Sequence, residues 1–352
     1  MNPGKWWKGP VKQQADFNNL LKVLKRQKPS RPTLFELFLN KDLHSYLAGP
    51  EAAEWPESRP FRPSLTRMLA YRNAGYDYLT IAASDFKFPR GERRHDGRTI
   101  SLNEGAMITD RESFKRFKWF EPEDFDTAKI DTLYENRPEG MKLVILSPGG
   151  VLENVIAITG YDNLCFILAD DPDLARDIFD SVGSRLLRYY GLALSHPYTG
   201  AIMLNDDWGF KTQTMLAPDD MQRYVIPWHK KMADLGHSQG KLVMMHSCGQ
   251  LEAVMDDIID VIRFDGKHSF EDNITSVEQM YDKYSDRIAI IGGIDVDFIC
   301  RHTPDEVYRR SKAMIEKTGC KGYALGSGNS IPDYVPMQNY LAMISAAIET
   351  RF

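Results

Sequence analysis

The sequence predicts an α/β fold, a single (β/α)8 barrel (TIM barrel) domain, on three observations. Eight apolar runs of strand length recur along the 352 residues, at 33–38, 78–82, 142–146, 201–204, 242–245, 261–264, 288–291 and 323–325. Segments of helical period lie between them, and this alternation builds a parallel sheet covered by helices. No GxGxxG follows the first run and no GxxxxGK[ST] occurs anywhere, so the nucleotide-binding signatures of many open sheets are missing. An open parallel sheet remains the alternative architecture.

The elements follow in order. The first run ends in FELFLN, and the second in Ser84 and Asp85. From about residue 85 to 140 the pattern lapses. This stretch contains GRTISLNEGAMI, which reads as an inserted hairpin, followed by a segment rich in Lys, Glu and Asp. In a barrel, an insertion of this kind shapes the active-site rim. The third run leads into SPGGVLENVIAITG and DDPDLARDIFDSVGSRLLRYYGLALSH, and the fourth into APDDMQRYVIPWHKKMADLGH. After the fifth run, Leu251, Val254, Met255, Ile258 and Ile259 recur at helical spacing. The segment TPDEVYRRSKAMIEKTG opens with a capping box, Thr303 and Glu306, has Pro304 in the first helical position, and stops at Gly319.

Composition narrows the function. Apolar residues make up 43% of the chain, with 17 Phe, 16 Tyr and 6 Trp, enough for a large core. A net charge of −5 and a pI near 5.9 leave no basic footprint for nucleic acid. No apolar run is long enough for a membrane span or a signal peptide, so a cytoplasmic location is expected. Cys165, Cys248, Cys300 and Cys320 show no paired spacing, which argues for free thiols. Cys165 and Cys320 read as core packing, whereas Cys248 lies two residues from His246 in HSCG, at the end of a strand. Residues two apart in a strand face the same way, so an imidazole and a thiol can share one space, half of a metal site.

In a barrel, the groups that act on substrate sit at the C-terminal ends of the strands. That rule selects Glu36, Asp85, Glu153, Asp206, Asp207, His246, Cys248, His268, Ser327 and Asn329. Asp206 and Asp207 have a plainer role open to them, capping the next helix or closing a turn. His268 also reads as a hydrogen-bonded rim histidine, and Asp295 as an N-cap.

The segments DDWGF, PWHKKMADLGHSQGKLVMMHSCG, GGID and LGSGN, with the Pro and Asn beyond it, resemble in order and spacing the uroporphyrinogen decarboxylase superfamily. The resemblance covers the chain from about the third strand and is strongest from Asn205 to Asn339. It implies a (β/α)8 barrel and one of two chemistries, tetrapyrrole decarboxylation or zinc-dependent methyl transfer to or from a corrinoid protein. The decarboxylases carry an Arg-rich RQAGR segment in the first loop, where this sequence has FELFLN, and an acidic Glu36 would repel a polycarboxylate. HSCG resembles the zinc branch, which implies His246 and Cys248 as ligands and a further Cys where this chain has Ser327. The third donor would then come from Glu36, Glu153, Asp207, His268 or Glu271.

The expected function is accordingly a corrinoid-linked methyltransferase acting on a small methylated substrate or a thiol, with zinc and a corrinoid-binding partner protein. Glu153, Asp206, Asp207 and His268 are its expected catalytic residues. Glu36, Asp85, Ser327 and Asn329 are expected against substrate. The alternatives are a metal-free decarboxylase, in which Asp206 or Asp85 would stabilise a protonated ring nitrogen, and a non-catalytic corrinoid- or tetrapyrrole-binding protein.

Overall fold

The computed structural model describes residues 5–91 and 101–351. Its sheet has seven parallel strands in chain order: β1 Tyr78–Ala82, β2 Lys142–Leu146, β3 Thr199–Asn205, β4 Leu242–His246, β5 Gly266–His268, β6 Ala289–Ile291 and β7 Tyr323–Ala324. Helices cover the sheet, so strand residues are buried on both faces, as continuous rather than alternating apolar runs require. The helix Pro304–Thr318 begins with the expected capping box and ends at Gly319, whose φ is 54°.

Two strand expectations need correction. Residues 33–38 form no ladder strand. Leu34, and Leu39 just beyond them, touch the far end of the sheet through isolated parallel bridges to Leu325 and Ile331. Toward β1 the partners are side chains: the Tyr78 hydroxyl bonds the amide (2.7 Å) and carbonyl (3.1 Å) of Glu36, and the Thr80 hydroxyl bonds the Leu37 carbonyl. Two hydroxyls thus take the backbone groups that a strand would pair, and the ladder stays open between β7 and β1.

Residues 261–264 are likewise not a strand. Asp257–Ile262 forms one wide helical turn, and Ile258, Ile259 and Ile262 are buried along the same apolar stripe. The true strand is Gly266–His268, hidden from an apolar reading because its buried residues are a lysine and a histidine. Cys165 departs from expectation too. It is exposed, while Cys320 is buried, and all four cysteines are free.

In the inserted segment, residues 97–100 of the expected hairpin lie outside the described residues, and 101–108 form turns rather than a strand. The amides of Met107 and Ile108 both donate to the Ile158 carbonyl, at 2.6 and 3.1 Å. Short helices follow at Arg111–Arg116 and Ala128–Glu135. The guanidinium of Arg185 stacks 4.6 Å from the Trp119 ring and, with Arg188, pairs Glu121. These contacts fasten the insertion to the helix Pro172–Leu194. Among the described residues no single helix is long and apolar enough to cross a membrane.

The approach of residues 33–39 to β7 depends on Gly326, where an added Cβ would lie 1.6 Å from the Phe35 carbonyl oxygen. Gly326→Ala should therefore cost about 3 kcal/mol, the upper end of overpacking penalties. Gly191→Ala, in a helix where the nearest atom is 3.9 Å away, should be neutral or stabilise by about 0.5 to 1 kcal/mol. Urea unfolding of both variants measures the contrast, and equal midpoints would remove the steric explanation.

Candidate functional site

Strand register assembles the site. Asn205 on β3 pairs with His246 on β4, and His246 pairs with His268 on β5, so three strands end at one level. The chain beyond each end turns toward a cavity of about 320 Å³, lined by Leu37, Phe38, Glu153, Asn205, Asp207, His246, Cys248 and Asn329, among others. Asp207, His246 and Cys248 each offer a ligand atom within 4.8 Å of the other two. His246 Nε2 lies 3.8 Å from Cys248 Sγ and 4.0 Å from Asp207 Oδ1. The Cys248 amide donates to Asp207 Oδ1 at 2.9 Å, which holds the carboxylate over the thiol. Asn329 Nδ2 donates to Cys248 Sγ at 3.2 Å.

A chain of hydrogen bonds decides which nitrogen of His246 faces this cluster. The Ser327 carbonyl can only accept, so His268 Nε2 carries a hydrogen and donates to it at 3.0 Å. Burial, then the neighbouring His246, hold the His268 pKa well below the usual histidine range, so the ring is neutral and its Nδ1 is an acceptor. His246 Nδ1 donates to that acceptor at 2.8 Å. Burial, then Lys267, pull His246 down to about 3, so its Nε2 is left with a free lone pair directed at Asp207 and Cys248. A metal-ligating histidine is commonly fixed in this way by a partner on its other nitrogen.

The donor set fits a metal ion. It offers one nitrogen, one sulfur and one carboxylate oxygen beside open cavity space, the three-ligand pattern of catalytic rather than structural zinc. Burial, then Asp207, push the Cys248 thiol up to about 12, so without a cation the sulfur keeps its proton. Lys267, absent from the sequence-derived candidates, is the nearby compensating charge. It is buried, donates to the Ser269 carbonyl at 2.8 Å and sits 4.5 Å from the Phe270 ring. Burial lowers its pKa to about 8, while Cys248, Asp207 and Glu271 act in the opposite direction. The signal available in the sequence was a lysine beside His268 at a strand end.

Glu153 stands at the start of the helix Val151–Thr159, with Gly150 N donating to its Oε2 at 2.9 Å. Burial, then Asp206 and Asp207, raise its pKa to about 8. Asp206 itself faces away from the cavity. Its two oxygens accept from the amides of Leu152 and Glu153, both at 2.9 Å, and one also meets His229 Nε2 at 2.8 Å. It caps a helix, though the one after β2 rather than the one that follows it in sequence. Gly150 permits this approach, since a Cβ there would fall 2.0 Å from the Asp206 side chain. Asp295 is an N-cap as read, accepting from Phe298 N at 2.9 Å.

Four other expected site residues do not reach the cavity. His268 and Ser327 are fully buried behind His246, and Glu36 is buried behind Ser327. Asp85 is 95% exposed and pairs with Lys129 at 3.3 Å, because it lies three residues beyond the end of β1, where the chain has left the sheet. The structure thus brings Glu153, Asp207, His246, Cys248 and Asn329 together and separates Asp85 from them.

The family model described as uroporphyrinogen decarboxylase (URO-D) matches residues 144–350, more than half of the chain and nearly all of this site. The chain belongs to the uroporphyrinogen decarboxylase family. A methyltransferase from Methanosarcina mazei has a similar structure, with a TM-score of 0.68 over 96% of this chain and 99% of that one, at 16% sequence identity, a likeness of fold alone. An intracellular xylanase from Thermoanaerobacterium saccharolyticum overlaps 62% of this chain and 81% of its own at 11% identity, with a TM-score of 0.37 that carries no argument. No curated protein matches in sequence.

In this uroporphyrinogen decarboxylase family member, Ser327 is turned away from the cluster. Its amide donates to Glu36 Oε1 and its hydroxyl pairs with Oε2, both at 2.7 Å. Burial raises Glu36 to about 8, with the two Ser327 bonds opposing. The folded protein therefore holds this proton from near pH 4.5 up to about 8 while the unfolded chain has released it, so this group subtracts stability as pH rises through that window. Glutamine mimics the protonated acid, with an oxygen to accept from Ser327 N and an NH2 to donate to its hydroxyl. Glu36→Gln should gain on wild type by about 1.4 kcal/mol per pH unit across the window and level off above it. Urea unfolding at a series of pH values gives the difference curve; a flat one would show that Glu36 ionises normally.

Proposed function

We propose that this chain is a corrinoid-linked methyltransferase on a (β/α)8 barrel, moving a methyl group between a small methylated substrate and the reduced corrinoid of a partner protein. The observation that carries the reading is the Asp207–His246–Cys248 donor cluster with its oriented imidazole lone pair. Glu153 and Asp207 line the cavity, and no arginine lines it among the described residues.

Asp207, His246 and Cys248 would hold zinc. When bound, zinc supplies a Lewis acid that polarises an ether oxygen or lowers the pKa of a thiol. His246 presents a neutral ring for ligation without losing a proton, because its Nδ1 hydrogen is already committed to His268. Asn329 donates to the sulfur of Cys248 and favours its thiolate form. Glu153, protonated up to about pH 8, keeps one oxygen on Gly150 N and has the other free to carry a proton into the cavity. When the bond from methyl carbon to ether oxygen breaks, the electron pair stays on oxygen and this proton makes the hydroxyl. The methyl group passes to the corrinoid acceptor. Glu153 in this role favours an ether donor over a thiol acceptor.

Protein purified without chelator should carry close to one zinc per chain. Cys248→Ala should lose both the metal and methyl transfer to reduced cobalamin. Cys300→Ala, Cys320→Ala and Asp85→Ala should keep both. Metal analysis and cobalamin absorbance read the outcomes. Active wild type without zinc, or full transfer by Cys248→Ala, would overturn the metal mechanism, and carboxylate loss without metal would favour decarboxylation.

A further inference from the structure

A second cavity, of about 530 Å³, opens between the helices Lys41–Ala53 and Arg62–Ala74. Its polar lining is Lys41, His44, Ser45, Arg62, Thr66 and Arg67; the other lining residues are apolar or glycine, and no carboxylate is among them. Arg67 Nε and His44 Nε2 are both shielded from solvent and have no hydrogen-bond partner. Among the described residues none of Lys41, Arg62 and Arg67 forms an ion pair, whereas other half-buried arginines do: Arg310 holds Asp272 and Glu278, and Arg185 holds Glu121. A shielded guanidinium Nε without a partner is costly, and an incoming anion that accepts from it removes that cost.

Gly49, at φ 70°, breaks the first helix at the cavity wall, ahead of Pro50. His44 remains neutral at physiological pH, held down to about 4 by burial and then by Arg67, so it adds no further cation and has one ring N–H to offer. Leu37 and Phe38 line the metal-ligand cavity and Leu39 lines this one, so a single extended segment borders both.

We propose that this cavity is a binding site for a small organic oxyanion, a carboxylate or phosphate ester with an apolar body. Arg62 and Arg67 take the oxyanion in their guanidinium forks, His44 Nε2 donates to it, and Leu39, Ala52 and Pro63 cover the body. The volume falls in the range of about 300 to 1,000 Å³ usual for small-molecule pockets. The site does not depend on methyl transfer, and its residues lie outside the family match.

Titration calorimetry of the full chain at constant ionic strength tests it with benzoate, phenyl phosphate and inorganic phosphate. One equivalent of benzoate or phenyl phosphate should bind, the tighter of the two identifying the oxyanion, with the His44 ring resonances shifting on addition. Arg62→Gln and Arg67→Gln should each weaken binding at least tenfold with unchanged circular dichroism, and Arg67→Lys should restore part of it. Should Arg67→Gln fail to fold, Arg62→Gln alone decides. Absence of binding, undiminished binding by the variants, or inorganic phosphate binding as tightly as the organic probes would overturn the proposal.

Discussion

The hydrogen-bond chain from Glu36 through Ser327 and His268 to His246 crosses residues 33–39, the end of β7, β5 and β4. Each link sets the donor or acceptor state of the next. A protonated Glu36 secures Ser327, whose carbonyl fixes the His268 tautomer, which in turn aims the lone pair of His246. The same chain fastens residues 33–39 to the end of β7, the Tyr78 hydroxyl on the Glu36 backbone carries the connection to β1 where the ladder is open, and the network orients the candidate ligand. Its members are buried and paired, the condition under which polar groups in a core add specificity rather than cost.

Electrostatics at the cavity balance around this network. Three carboxylates, Glu153, Asp206 and Asp207, crowd the ends of β2 and β3. Asp206 is satisfied by a helix N-terminus and His229, and Asp207 by the Cys248 amide, while Glu153 meets the crowding by keeping its proton. Lys267, with its ammonium on the Ser269 carbonyl, is a buried cation of lowered pKa.

The family match begins at Val144 and excludes residues 33–39, the insertion and the basic cavity between Lys41 and Arg67. The donor cluster is thus carried by the matched part of the chain, and its support and surroundings by the part outside the match. Glu36 occupies the first-loop position where an Arg-rich segment would face a polycarboxylate. Here it is turned inward onto Ser327.

The alternation of apolar runs with helical periods was enough to identify a parallel α/β sheet, because buried parallel strands must be apolar on both faces, and the HSCG spacing placed an imidazole and a thiol on one side of a strand end. Helix caps such as Thr303 and Asp295 were legible for the same reason, since their bonds are local. Sequence could not show that 33–38 would be held by the hydroxyls of Tyr78 and Thr80, that the strand after Asp265 would be built from buried lysine and histidine, or that Asp206 would cap a helix that precedes it by fifty residues. Nor could it show which of Glu36, Glu153, Asp207, His268 and Glu271 would lie within reach of both His246 and Cys248. Those outcomes depend on contacts between segments far apart in the chain, where strand register and the room left by Gly150 and Gly326 decide which side chain reaches the cavity and which is spent on the fold.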